Sequence, residues 1–152
     1  MSFITFVSFC WNKVTRWRSR FSPSRKSEHL RRGARGEKLA CRFLRRHGYK
    51  ILYRNFRGRR GGEIDIICRD RDTLVFVEVK TRTREDFGRP IAAIDQEQRN
   101  RISRGALAWL RLLDNPEILF RFDVVEVLIG DEIKPRIELI RDAFQLPRVY
   151  IY

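Results

Sequence analysis

The sequence predicts an α/β domain with a central mixed sheet of four to five strands flanked by helices. Three observations carry that expectation. Residues 63–68 and 74–80 are short, alternating arms rich in β-branched residues, joined by a charged turn at 69–73, which is a hairpin signature. Apolar residues recur at helical spacing on either side of the hairpin, over 36–47 and again over 90–113. A further strand-like run, 120–129, follows the second of those segments, which is long enough to be a crossover between parallel strands.

Taken in order, residues 1–35 differ from the remainder. They hold nine of the basic residues and a single acid, Glu28, and so contribute +8 of the formal net charge of +14. Phe3, Val7, Cys10, Val14, Trp17 and Phe21 repeat at helical spacing, with Lys13, Arg16 and Arg20 opposite. A basic amphipathic helix on an anionic membrane surface is one expectation for residues 1–21. A disordered tail or a start codon placed too early are the others. The run is too short and interrupted to span a bilayer, and its apolar part precedes the charges, unlike a signal peptide. Ser22-Pro23-Ser24 reads as a linker. The expected organisation is an extension over 1–30, one domain over 31–146 and a tail over 147–152.

The first helix is expected over 36–47, with Leu39, Ala40, Phe43 and Leu44 as its apolar stripe and Gly48 as its stop. Glu37 then falls in the first turn, where the helix dipole alone favours an acid. Residues 49–56 read as a strand, and Arg57-Gly58-Arg59-Arg60-Gly61-Gly62 as a basic, flexible loop. After the hairpin, 81–89 is a polar loop. Pro90 suits the first position of the second helix, and Asp114-Asn115-Pro116 stops it. A strand over 120–129 and a short edge strand over 137–140 complete the set.

Side chains on a strand alternate faces. Glu63, Asp65 and Ile67 should share one face of the first arm, and Leu74, Phe76, Glu78 and Lys80 one face of the second. Folding about Arg71 sets Asp65 opposite Val77 or Glu78, which gathers Asp65, Glu78 and Lys80. A cross-strand ion pair at a solvated edge would explain these charges. Against it, the run Leu-Val-Phe-Val before Glu78 is apolar on both faces, as in a strand covered on both sides. Acids at the end of a covered strand point to a site.

Arg far outnumbers Lys in this basic chain, and its planar fork suits phosphate, so nucleic acid or anionic lipid is the expected class of partner. A general compositional habit favouring Arg would give the same balance. Cys10, Cys41 and Cys68 lie far apart with no CxxC partner, which argues against zinc and a disulfide framework and suits a reducing cytoplasm. Cys41 and Cys68 are expected as small core residues. His29 and His47 are isolated and carry no catalytic assignment.

Asp65 followed by Glu78-Val79-Lys80 resembles the catalytic motif of the PD-(D/E)XK nucleases, whose restriction-endonuclease-like core runs α-β-β-β-α-β, the order read above. More closely, Gly36-Glu37 with Ala40, Gly62-Glu63-Ile64-Asp65-Ile66-Ile67, Phe76-Val77-Glu78-Val79-Lys80 and Arg121-Phe122-Asp123-Val124-Val125 resemble the YraN family of bacterial proteins, over about residues 31–146. The resemblance implies that Asp65 and Glu78, with the main-chain carbonyl of Val79, would ligate Mg²⁺ or Mn²⁺. It makes Lys80 a catalytic residue and Glu37 the acid of the first core helix. Where the family pattern carries Lys on the second helix, this chain has Gln98, which joins the candidate catalytic set.

Such chemistry needs oxygen ligands for a hard cation, an acidified water and a cation for developing charge. Without metal, Glu37, Asp65 and Glu78 would repel one another, so divalent ions are expected to stabilise the fold. Candidate nucleic-acid contacts, to DNA rather than RNA, are Arg57, Arg59 and Arg60, then Arg82 and Arg84, and the Arg99/Arg101/Arg104 surface. The leading expectation is a metal-dependent nuclease for structured or branched DNA. Its rivals are a non-catalytic nucleic-acid-binding or scaffold protein of the same fold and a protein peripheral to the inner membrane through residues 1–21. A homodimer and a cytoplasmic location accompany the first.

Overall fold

The computed structural model describes residues 28–59, 61–83, 94–114, 116–130 and 134–147. Expectations for residues 1–21, and for Cys10, Arg60, Arg84 and Pro90, fall outside them. The elements are α1 (Glu28–Arg46), β1 (Lys50–Arg57), β2 (Glu63–Asp70), β3 (Thr73–Arg82), α2 (Gln96–Leu112), β4 (Phe120–Leu128) and β5 (Arg136–Phe144). The order is the expected α-β-β-β-α-β, with β5 as the fifth strand.

One sheet runs in the order β1-β2-β3-β4-β5. Its first three strands are an antiparallel meander, with Ile66 opposite Val77 and Asp70 opposite Thr73. Strand β4 joins parallel to β3, Leu74 beside Phe120 and Arg82 beside Leu128, and β5 returns antiparallel to β4. The crossover through α2 makes the parallel pair sterically reachable.

Each face of the sheet is covered by one helix. On the α1 side Ala40, Cys41 and Leu44 pack with Cys68, Val77 and Val125. On the α2 side Ile102, Ala106 and Trp109 pack with Ile67, Phe76 and Phe122. Strand β3 is therefore buried on both faces from Leu74 to Glu78, as its apolar run implies. Cys41 and Cys68 are buried free thiols.

Helix α1 begins eight residues before the expected residue 36. Residues 28–35 carry Arg and Gly rather than an apolar stripe, so periodicity gives no sign of them. Glu37 consequently lies inside the helix, and the dipole explanation for it falls away. The C-terminus follows the expectation: Gly48 takes a left-handed φ of 85° and Tyr49 N–H closes on the Leu44 carbonyl at 3.0 Å. Helix α2 begins at Gln96, not at Pro90. Its cap is Asp95, whose carboxylate accepts the Gln98 N–H at 2.7 Å.

A polar network on the α1 face was not foreseen. Asp123 is fully buried. It accepts Arg121 Nε at 2.9 Å and the Asp142 N–H at 3.0 Å, where the β4–β5 register shifts. Arg121 also reaches Asp70 at 2.8 Å and the Tyr49 hydroxyl at 3.1 Å. Arg141 donates to the same Tyr49 hydroxyl and pairs with Asp70. Burial pushes the Asp70 carboxyl up, but the two arginines outweigh it and hold it below its ordinary value. The Arg-Phe-Asp-Val-Val segment thus ties β2, β4 and β5 to Tyr49, the residue just before β1.

Candidate active site

Strands β2 and β3 stop pairing after Ile66 and Val77. Beyond that point Asp65 Oδ2 accepts the Val79 main-chain N–H at 2.8 Å. A side chain replaces the next rung of the ladder, and the strands fork around it. Period-two alternation also slips here: Ile64 packs on the α2 side and Ile66 on the α1 side. Across the ladder, Asn55 takes a left-handed φ of 53°, between the pairs Arg54–Ile66 and Phe56–Ile64. The expected common face of Glu63, Asp65 and Ile67 therefore does not hold, and Asp65 is aimed at β3 instead.

Glu78 and Lys80 do keep one face. Glu78 is 8% exposed. Its Oε1 lies 3.3 Å from Lys80 Nζ and accepts Gln98 Nε2 at 2.6 Å. The Gln98 carbonyl in turn accepts Lys80 Nζ at 2.6 Å. Gln98 thus bridges an acid and a base that lie two residues apart on β3. The Asp95 cap fixes the first turn of α2 from which it reaches.

Glycines set the spacing of the layers. A Cβ on Gly62 would lie 2.2 Å from the Gly105 nitrogen, so the start of β2 rests directly on the α2 backbone. A Cβ on Gly36 would collide with Thr81 Oγ1, so the α1 backbone packs against a side chain of β3 just beyond Lys80.

Burial and the Glu78 charge push the Asp65 carboxyl up to about 7, against the Val79 hydrogen bond and the Lys80 charge. Burial also raises Glu78, opposed by Lys80, Arg101 and Gln98. Glu37 stands apart, 3.9 Å from Arg54, and acts on Asp65 only as a further negative charge. Among the described residues no three His, Cys, Asp or Glu side chains converge as a ready metal cluster. Asp65, Glu78, Lys80 and Gln98 come together; Glu37 faces Arg54 and acts on Asp65 through its charge.

The donor chemistry nonetheless fits a hard divalent ion. Two half-buried to buried carboxylates, each disfavoured as an anion, are adjacent, and such ions use one or two carboxylates together with waters and substrate oxygens. Of the expected nucleic-acid contacts, Arg57 lies 3.6 Å from Glu63, Arg82 pairs with Glu126 across β3–β4, and Arg59 is exposed on the glycine loop. The sequence reading missed Asp95, although Asp95 with Gln98 three residues on is a capping signal. No periodicity would have identified the Asp123 network.

The family model described as "Uncharacterised protein family UPF0102" matches residues 36–127, a span that holds Glu37, Asp65, Glu78, Lys80 and Gln98. A UPF0102 protein of Geobacter metallireducens is 48% identical over 114 residues, covering 75% of this chain and 92% of that protein. One of Syntrophus aciditrophicus is 46% identical over 122 residues, covering 80% and 94%. One of Nocardia farcinica is 48% identical over 112 residues, covering 74% and 87%.

Proposed function

The chain belongs to the uncharacterised protein family UPF0102, and from that premise we propose that it is a metal-dependent nuclease hydrolysing DNA phosphodiester bonds. A five-stranded mixed sheet with a helix on each face is consistent with a restriction-endonuclease-like core. The observation that carries the reading is the fork: Asp65 fills it, and Glu78, Lys80 and Gln98 are bonded together beside it. A purely structural ion pair has no need of a second buried acid next to the first, because unneutralised buried carboxylates cost stability.

Asp65 and Glu78, with the Val79 carbonyl, would hold Mg²⁺ or Mn²⁺. When bound, the ion supplies charge neutralisation at phosphorus and an acidified water. Lys80 places an ammonium where negative charge develops on the phosphate. Gln98 keeps that ammonium and Glu78 in fixed relation, which lowers the entropy lost on reaching the reactive arrangement. Glu37 adds negative potential from α1. Structured or branched DNA is the proposed substrate class.

The test is purified full chain with Mn²⁺ or Mg²⁺ on duplex, single-stranded, flap and four-way DNA, beside Asp65→Ala and Lys80→Ala. Metal-dependent cleavage lost in both variants supports the proposal. Cleavage that persists in both identifies a contaminant, and no cleavage on any substrate rejects the enzyme. The second reading, a nucleic-acid-binding protein without catalysis, draws on Glu78 Oε1 being already shared by Lys80 and Gln98. It predicts DNA binding that is indifferent to Lys80→Ala cleavage chemistry because there is none to lose.

A further inference from the structure

The three arginines of the α2 surface are not equivalent. Arg99 Nε donates to the Ile94 carbonyl at 3.0 Å, and its guanidinium lies 5.8 Å over the Phe144 ring. It fastens the helix start to the core. Arg104 has its Nε buried, next to Gly105, where the helix rests on Gly62. Arg101 is exposed, and among the described residues no hydrogen bond or ion pair holds it.

Arg101 follows Gln98 by three positions, so the two side chains share a flank of the helix. Gln98 is bonded to both Glu78 and Lys80. Arg101 therefore overlooks the fork from one turn farther along, and its positive charge acts on Glu78. Other basic candidates beside the fork have internal partners: Arg57 has Glu63 and Arg82 has Glu126.

We propose that Arg101 is the phosphate-anchoring residue of this site, gripping a nucleic-acid phosphate beside the bond that faces Asp65 and Glu78. The inference rests on the nuclease-or-binder reading above and names the residue that would engage the ligand. Its physical basis is a guanidinium whose planar fork matches two phosphate oxygens, set beside acids on a rigid helix. A cation that neutralises those acids removes their pull on Arg101 and leaves it facing an anionic ligand.

The test measures binding of full chain to a labelled DNA duplex by anisotropy, with Ca²⁺ as the cation, over a series of salt concentrations. Arg101→Ala is expected to weaken binding about 5- to 10-fold and to reduce the slope of log affinity against log salt by about 1. Arg101→Lys should restore the slope but only part of the affinity. Arg111→Ala, an equal charge loss from an exposed site in the last turn of α2, should leave the slope unchanged. An unchanged slope in Arg101→Ala overturns the anchor while leaving the function standing, as does an equal loss in Arg111→Ala. Absence of binding by the unaltered chain overturns both.

Discussion

Asp65 Oδ2 sits 2.8 Å from the main-chain nitrogen of Val79, one rung past the last paired residues of β2 and β3. The carboxylate thus has two duties. It closes the gap where the β2–β3 ladder opens, and it brings a negative charge beside Glu78. The first stabilises the strands; the second opposes ionisation.

That conflict predicts a pH-dependent stability. The Asp65 carboxyl is raised to about 7 by burial first and by Glu78 second. Its penalty is absent below the unfolded value near pH 4, grows as pH rises, and is complete above about pH 7. Asp65→Asn keeps an oxygen for the Val79 N–H and removes the charge. In EDTA at pH 8 the variant should be more stable than the parent by about 1–3 kcal/mol, a gap that narrows to less than half by about pH 5. Thermal melts at both pH values check this; a parent that is the more stable at pH 8 would refute it.

Divalent-ion affinity should carry the same signature with opposite use. Below pH 7 an ion must displace a proton from Asp65, so affinity for Mn²⁺ should rise up to about tenfold per pH unit and level off above neutrality. Calorimetry in buffers of different ionisation enthalpy would count the released proton. Binding that is flat from pH 5.5 to about 8 would remove Asp65 from the ligand set.

Gln98→Ala should lower the proposed cleavage about 10- to 100-fold, the range seen when groups supporting a metal site are removed. Gln98 is half-buried and its loss leaves the Lys80–Glu78 pair at 3.3 Å in place. Stability should therefore change by less than about 1 kcal/mol. A kinetic assay beside a denaturation curve separates the two effects.

The close approaches make a ranked prediction. Gly36→Ala drives a methyl group against the Thr81 side chain, and Gly62→Ala drives one against the α2 backbone. A side chain can yield where a backbone cannot, so Gly62→Ala should be the more damaging. Losses of about 1–2 kcal/mol for Gly36→Ala and about 3 or more for Gly62→Ala are expected. Thr81→Ala should recover part of the first and none of the second in urea titrations.

Asp123→Ala should destabilise by about 2–4 kcal/mol, because it leaves the Asp142 N–H without its acceptor and Arg121 with Asp70 as its one remaining carboxylate. Asp123 belongs to the α1 face, whereas Glu78 and Lys80 follow Phe76 on the α2 face. Mn²⁺ affinity measured where the variant is folded should match the parent.

The strands were readable because their information is local. Alternation, β-branching and a charged turn define the hairpin 63–80, and a double-sided apolar run identifies β3 as central. Glu78 and Lys80 were readable as one-face neighbours for the same reason. Asp65 was placed near them by parity, yet it reaches β3 through a twist at Asn55 that parity does not encode. The early start of α1 escaped because a solvated helical turn of Arg and Gly has no apolar period. Asp123 escaped because the network it shares with Arg121 also takes in Asp70 of β2 and Asp142 of β5, and no spacing relates those strands.

The crossover that makes β3 and β4 parallel also fixes an order of assembly. Asp65, Glu78 and Lys80 arrive on one hairpin, whose short loop closes at little entropic cost. Gln98 arrives only when α2 docks and the chain between Arg82 and Phe120 has closed its long loop. The hairpin is therefore born with its acids unbridged, and α2 completes the charge arrangement as it completes the core. Folding of the site is gated by its slowest, least local contact.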